Sequence, residues 1–329
     1  MLLGKHENMQ SVFAKEFYML GTIIRLKVHG YKGEKALGEA ITKLTEIDDK
    51  MSVFKADSEI SKINYNSGNI PQKVSHDTYY VIKKAVKYSE LSNGAFDPTI
   101  RPVVDLWGIC TDYPRIPKKK EINSKLELVN YKDIVLNEEN STIKLNKENQ
   151  AIDLGGIAKG YAADEVKNIF LRNQIKSAII DLGGNIFAIG NKADGVPWSI
   201  GIQDPARRRG ECIGSLSIVN KSIVTSGNYE RYFIIGGRRF HHIIDPRTGY
   251  PSENGVISTT IISDCSIDGD ALATCAYVMG LSKGIDFIEF LEGVDAIFIT
   301  EDKGIYTTSG IKDNFKLLNK GFIYKNYVD

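Results

Sequence analysis

The chain has 329 residues, enough for one large domain or two ordinary ones, and its 42% hydrophobic and 25% charged content is that of a globular protein. With 42 Lys+Arg against 41 Asp+Glu the net charge is +1, so charge gives no reason to expect nucleic acid or an anionic membrane as partner. No apolar run reaches the roughly 20 residues of a membrane span, and Met1-Leu2-Leu3-Gly4-Lys5 is too short for a signal peptide.

Residues 17–28 read as one strand interrupted at Gly21. Residues 34–51 follow as an amphipathic helix with Leu37, Ile41, Leu44 and Ile47 on one face. Ser58 suits the N-cap of a short helix, and Phe54 ahead of it is expected to plug an edge of the core. Residues 75–91 form a second helix running into a turn, where Pro98 steers Asp97 away from helical conformation. Lys118-Lys119-Lys120 reads as a solvated helix start, and residues 134–145 as strand, turn and strand around Glu139-Asn140.

Next comes Ile152-Asp153-Leu154-Gly155-Gly156-Ile157-Ala158-Lys159-Gly160-Tyr161-Ala162-Ala163-Asp164: a short apolar strand ending in an acid, two glycines, then a helical pattern. A helix N-terminus offers unpaired N–H groups and a positive dipole end, which suit phosphate oxygens, and glycine lets a ligand approach the backbone. A ligand-free strand-to-helix turn is the alternative. Residues 178–189 repeat Ile-Asp-Leu-Gly-Gly and continue as a strand, so this second copy reads as a hairpin corner. Strands follow at 198–202, 213–219 and 222–225, with Arg207-Arg208-Arg209 in an exposed loop. Residues 233–244 form a hairpin turning at Gly236-Gly237, 256–262 a strand, 265–279 a helix and 296–307 a closing hairpin. No linker rich in Pro, Gly or Ser divides the chain, so one α+β domain is expected. Cys110, Cys212, Cys265 and Cys275 show neither a C-x-x-C pair nor regular spacing, which points to free buried thiols.

Neither usual nucleotide fingerprint and no G-x-S-x-G elbow is present. Asp270 and Thr274, four apart in a helix, share a face and offer hard oxygens of the kind Mg²⁺ takes, or else Asp270 only favours a helix N-terminus. His242, three residues before Asp245, suits a general base titrating near neutrality or a satisfied structural residue. Strand alternation puts His241 on the opposite face, so at most one of the two serves a site. Asp153 either accepts from a ligand or caps the following helix.

Taken in order, Leu20-Gly21-Thr22, residues 51–64, Gly94-Ala95-Phe96-Asp97-Pro98, residues 153–164, Ser226-Gly227-Asn228-Tyr229, His242-Ile243-Ile244-Asp245-Pro246-Arg247-Thr248-Gly249 and residues 270–274 resemble the ApbE flavin transferases, the FAD:protein FMN transferase family. The motif-bearing region is about 16–310 of a single domain spanning 1–329. The resemblance implies a T-fold-like α+β domain with antiparallel sheets and packed helices. It implies FAD as substrate, Mg²⁺ or another divalent cation, and transfer of FMN to a Ser or Thr hydroxyl of an acceptor protein with release of AMP. A metal-dependent FAD pyrophosphatase and a non-catalytic flavin-binding protein are the alternatives. By match of motif, Gly156 (through its carbonyl), Asp270 and Thr274 are the implied metal ligands. Leu20, Phe54, Ala95, Phe96, Asp97, Asp153, Lys159 and Ile244 are the implied flavin-nucleotide contacts, and His242 the implied base. Leu20 stands where methionine is frequent in the family, a swap an apolar wall tolerates. A cytoplasmic address is expected if Met1 is the native start, and an extracytoplasmic, membrane-anchored one if a lipoprotein leader precedes it.

Overall fold

Alternating apolar residues in the first strands set the fold's outer wall. A computed structural model describes residues 11–109, 111–311 and 314–325; Met1 to Lys5 and Cys110 lie outside the described residues. Strands β1 (Val12–Met19) and β2 (Thr22–His29) pair antiparallel from Val12↔His29 to Met19↔Thr22. Leu20 and Gly21 between them both have positive φ, 53° and 69°, the conformation of a two-residue hairpin turn. The single strand expected over 17–28 is therefore two, and Gly21 marks the turn.

Helices α1 (Gly33–Met51) and α2 (Glu59–Tyr65), the short β3 (Gln72–Lys73) and helix α3 (His76–Leu91) follow. Ser58 and Ser75 cap α2 and α3 with their side chains. A 3₁₀ turn (Pro98–Ile100) leads into α4 (Arg101–Trp107), then α5 (Lys119–Leu126), β4 (Ile134–Asn137) and β5 (Thr142–Leu145). Helix α6 (Ala158–Arg172) precedes β6 (Ser177–Leu182), β7 (Asn185–Ile189), β8 (Trp198–Gln203), β9 (Cys212–Ile218) and β10 (Lys221–Gly227). The hairpin β11 (Tyr232–Ile235) and β12 (Arg238–His241) is followed by β13 (Val256–Ser263), α7 (Ser266–Met279) and α8 (Leu281–Glu289). Strands β14 (Asp295–Thr300), β15 (Gly304–Thr307), β16 (Phe315–Leu317) and β17 (Ile323–Tyr324) close the described chain.

Among the described residues nine strands form one sheet in the order β1-β2-β6-β7-β10-β13-β14-β15-β17, antiparallel except for the last pair. One face carries the larger core, where α1, α6 and α7 pack with Leu37, Leu44, Val166, Phe170 and Leu272; Ile41 stays at the half-buried margin. The three-stranded sheet β16-β9-β8 covers part of the other face. The period of two sorts neighbours between these cores: Val224, Ile261 and Phe298 enter the first, while Ile223, Ile262 and Ile297 enter the second with Trp198 and Leu216. A third cluster joins α4 and α5 to β12 through Trp107, Ile122, Phe240 and Ile244, and the Trp107 indole donates to the Gly249 carbonyl at 2.8 Å.

Two further expectations change. Residues 152–154 are extended but form no strand, because the backbone of Ile152 bonds both ways to the Asn64 side-chain amide and Asp153 N–H donates to Pro98. Of the cysteines described, only Cys275 is buried; Cys212 is half-buried and Cys265, at the N-cap of α7, is exposed because that cap lies at the surface.

Candidate functional site

Helices α6 and α7 meet through their first turns and exchange caps. Asp164 of α6 accepts from the Ser266 and Ile267 N–H groups at the start of α7, at 3.0 and 2.9 Å. Asp270 of α7 accepts from Gly160 N–H in the first turn of α6 at 2.9 Å. These donors have no intrahelical partner, so a carboxylate there satisfies a hydrogen bond and favours the dipole. The approach requires glycine at 160: a Cβ there would lie 2.3 Å from the Ser266 carbonyl oxygen.

Asp270, 5% exposed, uses Oδ2 for that cap, and its Oδ1 faces the Lys159 ammonium at 3.7 Å. Lys159 Nζ also donates to the Gly155 carbonyl at 2.9 Å. Thr274, one turn beyond Asp270, has its Oγ1 3.3 Å from Ser226 Oγ on β10. A Cβ on Gly156 would lie 3.6 Å from Thr274 Oγ1 and 3.0 Å from the Phe96 ring, so the glycine loop runs directly over this hydroxyl. Gly156, Asp270 and Thr274 thus meet in one place, together with Lys159 and Phe96. Carboxylate, hydroxyl and backbone carbonyl are hard oxygen donors that fit Mg²⁺, and the Lys159 ammonium already lies against the Asp270 carboxylate and the neighbouring Gly155 carbonyl. Among the described residues no group of three His, Cys, Asp or Glu gathers, so a softer, nitrogen- or sulfur-rich metal centre is not what these donors offer.

The two histidines separate by tautomer. His241 is buried, with Nε2 donating to the Ser252 carbonyl at 3.1 Å and Nδ1 accepting from Ile243 N–H at 3.3 Å. Both its nitrogens are used, and burial depresses its pKa to about 4. His242 Nδ1 lies 3.2 Å from the Arg231 carbonyl. A carbonyl only accepts, which assigns the proton to Nδ1 and leaves Nε2 with its lone pair. Burial of its ring, and then the charge of Arg231, holds His242 down to about 3, with Lys159 acting in the same direction. The expectation of a group titrating near neutrality is corrected accordingly: in the ligand-free protein His242 is neutral well into the acid range.

The remaining predicted residues line two sides. Phe54 is 75% exposed and plugs no core edge, contrary to expectation; its ring instead lies 5.1 Å from the Arg101 guanidinium. Arg101 pairs with Asp153 at 3.1 Å, and Asp153 also accepts from Gly155 N–H at 2.7 Å. Ala95, Phe96 and Asp97 are buried. Asp97 accepts from the Thr99 N–H and hydroxyl and from Tyr131 N–H, so its carboxylate holds the turn, and burial raises its pKa against those bonds. Leu20 sits at the β1–β2 turn, tied by the Arg231 guanidinium to the Gly21 carbonyl at 3.1 Å. Ile244 is buried in the third cluster. Sequence reasoning missed Arg101 and Arg231. The spacing of Arg101 to Asp105, an i,i+4 ion pair at 2.7 Å, was the available signal for the first; nothing local marks the second.

An antiparallel sheet backed by helices, with hard oxygens and a lysine gathered at a helix N-terminus, describes an α+β enzyme suited to a phosphate-bearing ligand. The chain belongs to the ApbE family, whose sequence model matches residues 20–298. It is 35% identical to the FAD:protein FMN transferase of Klebsiella pneumoniae (strain 342), over 94% of this chain and 96% of that protein. It is 33% identical to the FAD:protein FMN transferase of Treponema pallidum, over 94% and 91%. The crystal structure of the ApbE protein of Thermotoga maritima superposes with a TM-score of 0.85 at 34% identity, covering 92% of this chain and 99% of that one. The flavin transferase ApbE of Vibrio cholerae gives 0.83 at 29% identity, with the same coverage.

Proposed function

We propose that this protein is a Mg²⁺-dependent transferase that moves the FMN half of FAD onto a Ser or Thr hydroxyl of an acceptor protein, releasing AMP. Relatives named FAD:protein FMN transferase match nearly the whole chain, which supports the flavin-transfer part of this reading. The observation that carries the reading is the meeting of Gly156, Asp270, Thr274 and Lys159 at the start of α6, with a histidine whose Nε2 is unprotonated within electrostatic reach of that lysine.

The acceptor oxygen attacks the FMN phosphorus, the bond from that phosphorus to the bridging oxygen breaks, and AMP leaves with the oxygen. His242 Nε2 takes the hydroxyl proton, and the Arg231 carbonyl fixes the ring through Nδ1. Bringing the anionic diphosphate beside His242 counters Arg231 and Lys159, which raises the basicity of the imidazole when FAD is bound. Lys159 and the α6 N-terminus place positive charge beside the phosphate oxygens. Gly156 (through its carbonyl), Asp270 and Thr274 would hold a divalent cation, which when bound offsets charge on the phosphate oxygens. Phe54, backed by Arg101, offers an exposed ring face for a flavin or adenine ring, and Leu20, Ala95 and Phe96 supply apolar wall. Asp97, Asp153 and Ile244 shape this pocket by holding its loops.

The test is incubation with FAD, Mg²⁺ and a short peptide carrying the Asp/Ser-Gly-Ala/Ser-Thr-like motif that the family resemblance implies. A covalent FMN adduct on the peptide with equimolar AMP is expected. His242→Ala should lower the transfer rate by about 10²–10⁴-fold with FAD affinity little changed. AMP and free FMN without adduct would instead mark a pyrophosphatase, and FAD binding without AMP a flavin-binding protein.

A further inference from the structure

The hairpin β11–β12 stands apart from the other sheets and pairs with no third strand among the described residues. His242 N–H donates to the Arg231 carbonyl at 3.1 Å, and the register continues as Phe233↔Phe240 and Ile235↔Arg238. In an antiparallel pair the bonding alternates, so Tyr232 and Ile234 turn their backbone N–H and C=O outward. That free edge is apolar: Ile234 is 59%, Ile235 47% and Tyr232 41% exposed. Edges left open in this way invite another chain, and proteins usually blunt them with charge.

We propose that the outer edge of β11 docks the acceptor protein, an extended segment bearing an acidic side chain adding there as a third strand. The proposal rests on the transferase reading above. Arg231 begins this edge, and its carbonyl takes both N–H groups of His242, so the edge leads directly to the base. At about 3.3 Å per residue, Ile234 lies roughly 10 Å along the strand from that anchor, a distance three or so residues of an added strand span. The charge identifies the occupant. Arg231 bonds to the Gly21 carbonyl, and Arg239 to the Asn228 amide oxygen while lying 4.4 Å over the Tyr232 ring. Neither has a carboxylate partner among the described residues, so an acidic segment completes them. A second copy of this chain would set the same arginines against each other, which edge-to-edge pairing disfavours.

Ile234→Pro deletes the outward N–H and spares the hairpin, since proline is tolerated where an edge N–H faces solvent. With the motif-bearing peptide, its KM should rise about tenfold while kcat and FAD affinity stay within about twofold; Ile234→Lys, which keeps the donor, should raise KM only about threefold. Replacing the peptide's acid by lysine should raise KM about tenfold with the parent protein and much less with Arg239→Ala. Should Ile234→Pro fail to fold, a photoreactive phenylalanine analogue in the peptide must label residues 232–235 of the parent. A folded proline variant with the parent's KM, labelling elsewhere, or a change in oligomeric state in place of KM overturns the docking strand. A parent chain that forms no flavin adduct on the peptide overturns the transferase reading and the proposal with it.

Discussion

Asp270 holds two structures with its two oxygens. Oδ2 caps α6 through Gly160 N–H, and Oδ1 faces Lys159 among the hard oxygen donors. Reading Asp270 in the sequence left a helix-terminus role and a metal-ligand role as alternatives; the structure shows the first, at the terminus of a neighbouring helix, and the second stands as the proposal. The two roles separate by substitution. Asp270→Asn keeps an acceptor for the cap and removes the charge, so Mn²⁺ affinity measured by calorimetry should fall at least tenfold with a melting temperature near the parent's. Asp270→Ala should lose the same affinity and also about 1 kcal/mol of stability with the cap. Equal Mn²⁺ binding in Asn and parent would remove Asp270 from the metal site. The cap is invisible locally, since Gly160 and Asp270 are 110 positions apart. What was legible was the spacing of Asp270 to Thr274 and the glycine pair, both set by local periodicity.

At the level of elements, local pattern read well where one face of a helix is apolar or a strand is bounded by turns, as in α1, α3 and the β11–β12 hairpin. It failed where tertiary partners decide. Residues 152–154 look like a strand, but a side-chain amide takes their hydrogen bonds. Helix α8, which follows Gly280 directly and contains Gly284, has no counterpart among the elements expected from the sequence. Glycine within helices shows the same division. Gly38 in α1 has open space where a Cβ would go, whereas Gly160 in α6 meets the α7 backbone. Gly38→Ala should stabilise the protein by about 0.5–1 kcal/mol, the ordinary helix-propensity gain. Gly160→Ala gains the same propensity but must push α6 and α7 apart, so a net loss of roughly 1–3 kcal/mol is expected. Urea unfolding of both variants checks the pair, and a stabilised Gly160→Ala would mean that the exchange of caps does not constrain the helix crossing.

The order of the nine-stranded sheet, which places β2 beside β6 and β10 between β7 and β13, was not readable, because pairing across long separations leaves no local mark. Strands covered on both faces, such as β13, whose Ser and Thr residues are buried beside its Val and Ile, show no apolar–polar alternation to read. That enclosure has a consequence for the whole molecule, because it shuts in imidazoles that ionise in the unfolded chain. His241 has a native pKa of about 4, lowered first by burial, with Glu253 opposing and Arg239 adding to the shift. An unfolded histidine titrates near 6.5, so between the two values the unfolded state binds the proton and the native state does not. The contribution is therefore fully present above pH 6.5 and is lost as pH falls toward 4, on the order of 3 kcal/mol for this residue. His242 continues the loss toward about 3, and His29 shifts in the same direction through burial. Carboxylates act lower: burial opposes the charge of Asp77, but Lys43, Tyr161 and Lys50 outweigh it and hold its pKa at about 2, so its contribution fades only below pH 4. Urea midpoints measured from pH 7.5 to 4 should fall steadily for the parent. His241→Gln should be less stable than the parent at pH 7.5, because its amide nitrogen can follow Nε2 to the Ser252 carbonyl but nothing replaces Nδ1 as acceptor for Ile243 N–H, yet it should decline less steeply between pH 6.5 and 4. A variant that declines as steeply as the parent would place the acid sensitivity of the fold in other groups.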